Sequence, residues 1–127
     1  MSGRARSIVV AYDGSEVADR ALDAAADLAG YGSSITVVHV LPEQDIKAHR
    51  NGVLDRARRR LVRRQIAARY LEPEGDADRT LLETVQSLGA DMVVVGRRER
   101  NALRRLWLGS VSARVVRRAQ CDVLVVR

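Results

Sequence analysis

Ser7-Ile8-Val9-Val10-Ala11-Tyr12, followed at once by Asp13-Gly14-Ser15, is the stretch that decides the fold. The run is apolar and rich in β-branched residues without alternation, as expected of a strand covered on both faces. Asp13-Gly14-Ser15 then turns the chain, and Ser15 is a good N-cap for a helix reaching about Gly30. That helix presents an inward stripe of Ala18, Ala21, Leu22, Ala25, Leu28 and Ala29. Its other face carries Glu16, Asp19, Arg20, Asp23 and Asp27.

The same alternation continues outward from this unit. Residues 35–41 read as a second buried strand, stopped by Pro42, and residues 43–52 as a loop. Residues 53–64 form a very basic helix with Leu54, Ala57 and Leu61 as its buried edge. Residues 65–71 alternate Ile66, Ala68 and Tyr70 against polar positions, which suits a half-exposed edge strand closed by Pro73 and Gly75. Residues 77–88 are helical, with Leu81, Leu82, Val85 and Leu88 inward and Gly89 at the C-terminal cap. Residues 92–95 make a fourth strand. Residues 110–119 make a fourth helix with Val115, Val116 and Ala119 inward, and residues 122–126 a last strand. Five strands alternating with four helices predict a parallel sheet covered by helices on both sides, a single α/β domain over residues 1–127.

Composition narrows the class. The chain is 46% apolar and 30% charged, the balance of a soluble globular protein. No apolar run approaches the ~20 residues of a membrane span. The basic start, Met1 to Arg6, leads only into a strand-length run ending at Asp13. No signal peptide is read there, and a cytoplasmic location is expected. The single cysteine, Cys121, cannot form an internal disulfide or a multi-cysteine metal site.

Net charge is +6, and every basic residue except Lys47 is arginine. Eight arginines fall in residues 50–69 and eight in residues 97–118, whereas residues 13–45 are net acidic. A basic face attracts nucleotides, nucleic acid or anionic lipid, or is simply a solvated helix surface. Trp107 is the one aromatic set among the basic runs, and no helix-turn-helix or RNA-recognition motif occurs, so nucleic acid is not the expected partner.

In open α/β sheets ligands bind beyond the carboxyl ends of the strands, where strand order reverses. Two such loops carry ligand-like chemistry. One is Asp13-Gly14-Ser15. The other runs from Gly96 through a basic stretch to Gly109-Ser110, which opens a helix. A helix N-terminus offers unpaired N–H groups and the positive end of a dipole, a natural cradle for phosphate. If strands one and four are neighbours, both loops line one crevice.

These residues resemble the universal stress protein family. Val10-Ala11-Tyr12-Asp13-Gly14-Ser15 is similar to its opening signature. Val93-Val94-Val95-Gly96 followed by Leu108-Gly109-Ser110-Val111-Ser112 is similar to its closing one, and Cys121 to Val126 resembles its last strand. The resemblance implies a flavodoxin-like sheet in the order 3-2-1-4-5 and a homodimer formed through the last strand, residues 122–127. It also implies binding of ATP or another adenine nucleotide, with Mg2+ as an optional companion, and a role in stress survival without efficient catalysis. The implied nucleotide-binding residues begin with Ala11, Tyr12, Asp13 and Val40, of which Asp13 and Val40 serve the adenosine end. They continue with Val95, Gly96, Arg98 and Glu99, then Gly109, Ser110, Val111 and Ser112. Gly96, Arg98 and the last four of these serve the phosphates.

One position departs from the family pattern of Gly, two residues, Gly, nine residues, Gly, Ser/Thr. Gly96, Gly109 and Ser110 match it, but position 99 is Glu99. A glycine there permits unusual φ and close backbone approach, whereas glutamate adds a Cβ and a negative charge. Two unit charges 4 Å apart interact by about 1 kcal/mol in water and about 4 kcal/mol at an effective dielectric near 20. Arg97, Arg98 and Arg100 beside it can pair with Glu99 or outweigh it on phosphate. The alternative is a dimeric interaction module of the same family whose phosphate loop Glu99 has disabled.

Other candidates read as structural. Ser15 is an N-cap rather than a nucleophile, Asp13 can cap its own turn, and His39 lies inside a strand pattern. His49 reads as loop surface, Cys121 as a partly buried thiol, and Trp107 as packing under the loop or at a dimer contact. No Gly-Lys-Ser/Thr phosphate loop and no triad spacing occur. Efficient ATP hydrolysis is therefore not expected, with slow turnover left open.

Overall fold

The computed structural model describes residues 6–30, 32–42, 52–97 and 110–127, with backbone alone at 110–112. The order of elements is β1 (Ser7–Ala11), α1 (Glu16–Leu28), β2 (Ser34–Val38), α2 (Val53–Arg63) and β3 (Arg69–Leu71). Then follow α3 (Ala77–Leu88), β4 (Met92–Gly96), α4 (Ser110–Arg118) and β5 (Asp122–Val126). The five strands form one parallel sheet in the order β3-β2-β1-β4-β5. β1 therefore lies at the centre, which is why its middle residues, Ile8, Val9 and Val10, are all apolar and buried.

Alternation along the strands sorts the core into two layers. Ile8 and Val10 of β1, Ile35 and Val37 of β2, and Val94 of β4 pack under Leu22 of α1 and Leu61 of α2. On the other face Val9, Val38, Val93 and Val95 pack under Leu81 and Val85 of α3 and Val115 of α4. The alanines Ala18, Ala21, Ala25 and Ala26 let α1 approach the sheet closely, and all four are buried.

Several expectations are corrected. Leu28, read as inward, is 50% exposed, at the last helical position of α1. Val116, also read as inward, is 52% exposed, whereas its neighbour Val115 is buried against the sheet. Asp19, read as solvent-facing, is buried. β2 is shorter than the 35–41 reading, although Leu41 still bridges Glu74 in parallel beyond it.

The strand read over residues 65–71 shrinks to Arg69–Leu71, for an identifiable reason. Gln65 adopts φ 59°. Its N–H donates to the Val62 carbonyl (2.8 Å), and the Ile66 N–H donates to the Leu61 carbonyl (3.0 Å). This is a Schellman closure of α2, with Ile66 and Leu61 in the same core layer. Gly89 closes α3 by the same pair of bonds at φ 61°. A glutamine in the left-handed region leaves no glycine signal to read.

The charge segregation also resolves. Asp19, Asp23 and Asp27 of α1 face Arg56, Arg60 and Arg64, which lie on and just beyond α2, as three parallel ion pairs. The middle pair is bidentate: Arg60 Nε and Nη2 donate to the two Asp23 oxygens at 2.9 and 2.8 Å. Arg58 lies over the Tyr70 ring, 4.4 Å from its centroid. Four arginines of the 50–69 cluster are thus used within the fold.

The Arg60 hydrogen bond holds the Asp23 carboxyl below its ordinary range, against a smaller opposing effect of burial. A lowered folded-state value stabilises above the ordinary carboxylate range and is lost as pH falls through the folded one. Asp23 is more than a third exposed, so solvent screening keeps the gain to about 1 kcal/mol or less. The stability difference between the wild type and Asp23→Asn is therefore expected to close on acidification below about pH 4. Urea titrations at pH 7 and pH 3 check this, and a difference that stays constant refutes it.

Candidate functional site at the carboxyl ends of β1 and β4

The β1/β4 pairing, Val10 opposite Val94, brings the carboxyl ends of these strands side by side. The Asp13-Gly14-Ser15 turn follows β1 directly. Its geometry is held locally: the Ser15 N–H donates to Asp13 Oδ1 (3.0 Å), and Ser15 Oγ accepts from the Ala18 N–H (3.2 Å) as the α1 N-cap. Asp13 is exposed and Ser15 half-buried. The cap predicted for Ser15 is therefore present, and Asp13 turns its own backbone while standing at the rim.

Neighbouring elements close around this turn. The Tyr12 N–H donates to the Val38 carbonyl (2.9 Å), tying the end of β1 to β2. A Cβ placed on Gly14 would lie 3.6 Å from Val53 Cγ1, so the first residue of α2 packs against the turn. A Cβ on Gly96 would lie 3.0 Å from Val17 Cγ2 and 3.2 Å from the Val17 carbonyl oxygen. The end of β4 thus sits against the first turn of α1.

The predicted residues divide between the two faces. Ala11, Val40 and Val95 lie on the face covered by α3 and α4, with Ala11 and Val40 only half-buried there. Tyr12 points the other way, beneath α1, where its hydroxyl donates to Asp19 Oδ1 (2.6 Å). Burial, reinforced by the Asp19 carboxylate, pushes the Tyr12 phenol far above its ordinary value, so it stays a neutral donor. Ser110, Val111 and Ser112 form the first turn of α4. Arg98, Glu99 and Gly109, like His49 and Trp107, lie outside the described residues.

Other titratable groups among the described residues have partners within the fold. His39 is buried, with Nδ1 3.0 Å from Glu72 Oε2 across the β2–β3 edge. Burial, with Asp122 and Asp91 nearby, pushes the Cys121 thiol up, which disfavours the reactive thiolate. Arg114 of α4 donates to Asp78 of α3 (3.0 Å).

The pairing of Tyr12 with Asp19, and of Asp19 with Arg56, escaped sequence reasoning. A signal was present: aspartates recur every four residues on α1, and arginines recur every four along α2. Two complementary stripes on helices that flank one sheet face are candidates to meet.

The sheet order, reversing between β1 and β4, and the turn at the reversal define an α/β protein of the flavodoxin-like class. The model of the Universal stress protein family matches residues 4–127, and the chain belongs to that family. It is 30% identical to universal stress protein YxiE of Bacillus subtilis, covering 94% of this chain and 97% of that one. A universal stress protein solved in complex with cAMP is 29% identical, with TM-score 0.78 over 96% of each chain. UspA from Lactobacillus plantarum shares the fold at TM-score 0.84 and 21% identity, covering 99% of this chain and 100% of that one. No helix among the described residues is long and apolar enough to cross a membrane.

Proposed function

We propose that this universal stress protein binds an adenine nucleotide at the β1/β4 crossover and serves as a stress-response module without efficient catalysis. The observation that carries the reading is the pairing of β1 with β4, which sets the Asp13 turn beside the end of β4 at the sheet reversal; that the next described element after β4 is a helix starting at Ser110 supports it. The likeness to a protein solved with cAMP supports it. Asp13 and Val40 take the adenosine end, with Ala11, Tyr12 and Val95 framing it. Gly96, Arg98, Gly109, Ser110, Val111 and Ser112 take the phosphates, with Mg2+ as a companion where a polyphosphate is bound. The protein works in the cytoplasm as a homodimer joined along residues 122–127. In support, β5 is an edge strand paired with β4 alone among the described strands.

Glu99 favours a second reading, an interaction module without nucleotide. Calorimetric titration of the wild type and Glu99→Gly with ATP, ADP and AMP separates the two. The expected result is stoichiometric binding by the wild type and about tenfold tighter ATP binding by the variant, since ~1.4 kcal/mol is tenfold. Failure of both proteins to bind any adenine nucleotide overturns the first reading. ATP affinity unchanged or weakened in the variant overturns the role given to Glu99.

A further inference from the structure

We infer that Arg56 of α2 is a positioning residue for the Asp13-Gly14-Ser15 turn, acting through Asp19 and Tyr12. The inference rests, for its consequence on ligand binding, on the reading of that turn as the adenosine end of the site.

Tyr12 stands immediately before the turn and Asp19 in the first turns of the helix after it. The bond from the Tyr12 hydroxyl to Asp19 Oδ1 therefore closes a loop around the turn (2.6 Å). Arg56 Nη2 donates to the other oxygen, Asp19 Oδ2. Each carboxylate oxygen thus has a donor, one from the residue that follows β1 and one from α2. Removing the guanidinium takes from Asp19, 9% exposed, its ion-pair partner and leaves it only the more distant charge of Arg60. A buried carboxylate that loses its ion-pair partner is drawn toward water, and that movement disturbs its bond to Tyr12.

The three ion pairs between α1 and α2 are not equivalent. Exposure of the aspartate rises from 9% at Asp19 to 37% at Asp23 and 71% at Asp27, away from the turn. The aspartate at the site end is thus the one held away from water, while its partner Arg56 stays half exposed. Asp23 and Asp27 have no bond to β1 among the described contacts. Val53, one turn before Arg56, lies against Gly14, so α2 meets the turn both by packing and through this network.

The test uses the full chain and three variants: Arg56→Met, Arg56→Lys and Arg64→Met. Amide exchange is followed by NMR at Tyr12, Ser15 and Ala18, whose N–H groups hold the turn, and nucleotide affinity by calorimetry. Arg56→Met is expected to speed exchange at Ser15 and Ala18 about tenfold and to weaken AMP binding about tenfold. Arg56→Lys is expected to recover most of both. Arg64→Met is expected to lower thermal stability slightly and change neither.

Exchange at Ser15 and Ala18 that is unmoved in Arg56→Met overturns the inference, as does an equal acceleration in Arg64→Met, which would mean general loosening of α1 against α2. If the wild type binds no nucleotide but the exchange pattern appears, the functional reading falls and the positioning role stands. If the wild type and Arg56→Met bind AMP equally while exchange is unmoved, the positioning role falls and the functional reading stands.

Discussion

Leu22→Ala is expected to cost about 2–5 kcal/mol of folding free energy. Leu22 is fully buried in the middle of α1, over the centre of the sheet. Its neighbours on the helix, Ala18, Ala21, Ala25 and Ala26, are small. They bring the helix backbone close to β1 and β4, leaving Leu22 to supply most of the volume on that line. Ile8, Val10 and Val94 beneath it belong to hydrogen-bonded strands and cannot collapse into the space its removal leaves. The loss therefore combines the transfer free energy of the missing atoms with the cavity. Against a typical total of about 5–15 kcal/mol, this is a large fraction. Urea denaturation should show a lower midpoint at an unchanged slope. Leu28→Ala in the same helix, at a residue 50% exposed, is the internal comparison and should cost about 0.5 kcal/mol or less. Equal losses at the two positions would contradict the packing assigned to α1.

Gly96→Ala is expected to cost about 1–3 kcal/mol and, on the function proposed above, to weaken nucleotide binding together with stability. Gly96 is not in the left-handed region, so its backbone conformation is open to any residue. What glycine supplies is space: a methyl group would meet Val17 Cγ2 at 3.0 Å, Cγ1 at 3.1 Å and the Val17 carbonyl oxygen at 3.2 Å. The side-chain contacts can be relieved by rotation or truncation, but the carbonyl is fixed in the first turn of α1. Adding Val17→Ala to Gly96→Ala should recover part of the loss, giving a coupling of about 0.5–3 kcal/mol in a double-mutant cycle. Strict additivity would show that the two positions do not touch. The effect on affinity follows from geometry: the turn carrying Asp13 is continuous with the helix that the new methyl pushes away. Within the family pattern Gly96 is a phosphate-loop glycine. In this molecule the same residue also sets how closely β4 and α1 approach.

The candidate site was legible where it depends on local chemistry. Ser15 capping α1, Asp13 bonding its own turn, His39 held within the sheet and Ser110 opening a helix each follow from a few consecutive residues. Asp19 was misread because helical periodicity sorts residues by polarity, and an aspartate scores as solvent-facing whatever stands opposite. Its burial depends on Tyr12, just after β1, and Arg56 from α2, the latter 37 residues away along the chain. Leu28 and Val116 were misread in the opposite sense. An apolar residue near a helix end is placed inward by pattern, although the sheet beneath does not reach it. The strand over 65–71 was overdrawn because Gln65 takes a conformation usually reserved for glycine, and a tertiary contact between Ile66 and Leu61 sustains it.

By itself the amino-acid sequence determined the alternation of strand and helix and the α/β class, a parallel sheet with helices on both faces. It also carried the turn after β1, the helix opening at Ser110 and the family resemblance borne by those residues. These follow because strand and helix periods, caps and turns are interactions between residues a few positions apart. Only the tertiary structure decided that acidic α1 and basic α2 neutralise one another, that Asp19 is buried between Tyr12 and Arg56, and that Gly96 is needed for its missing side chain. Each of those outcomes depends on which elements the sheet order β3-β2-β1-β4-β5 sets side by side. Burial and ion pairing are properties of the neighbours a residue acquires on folding, not of the residue alone.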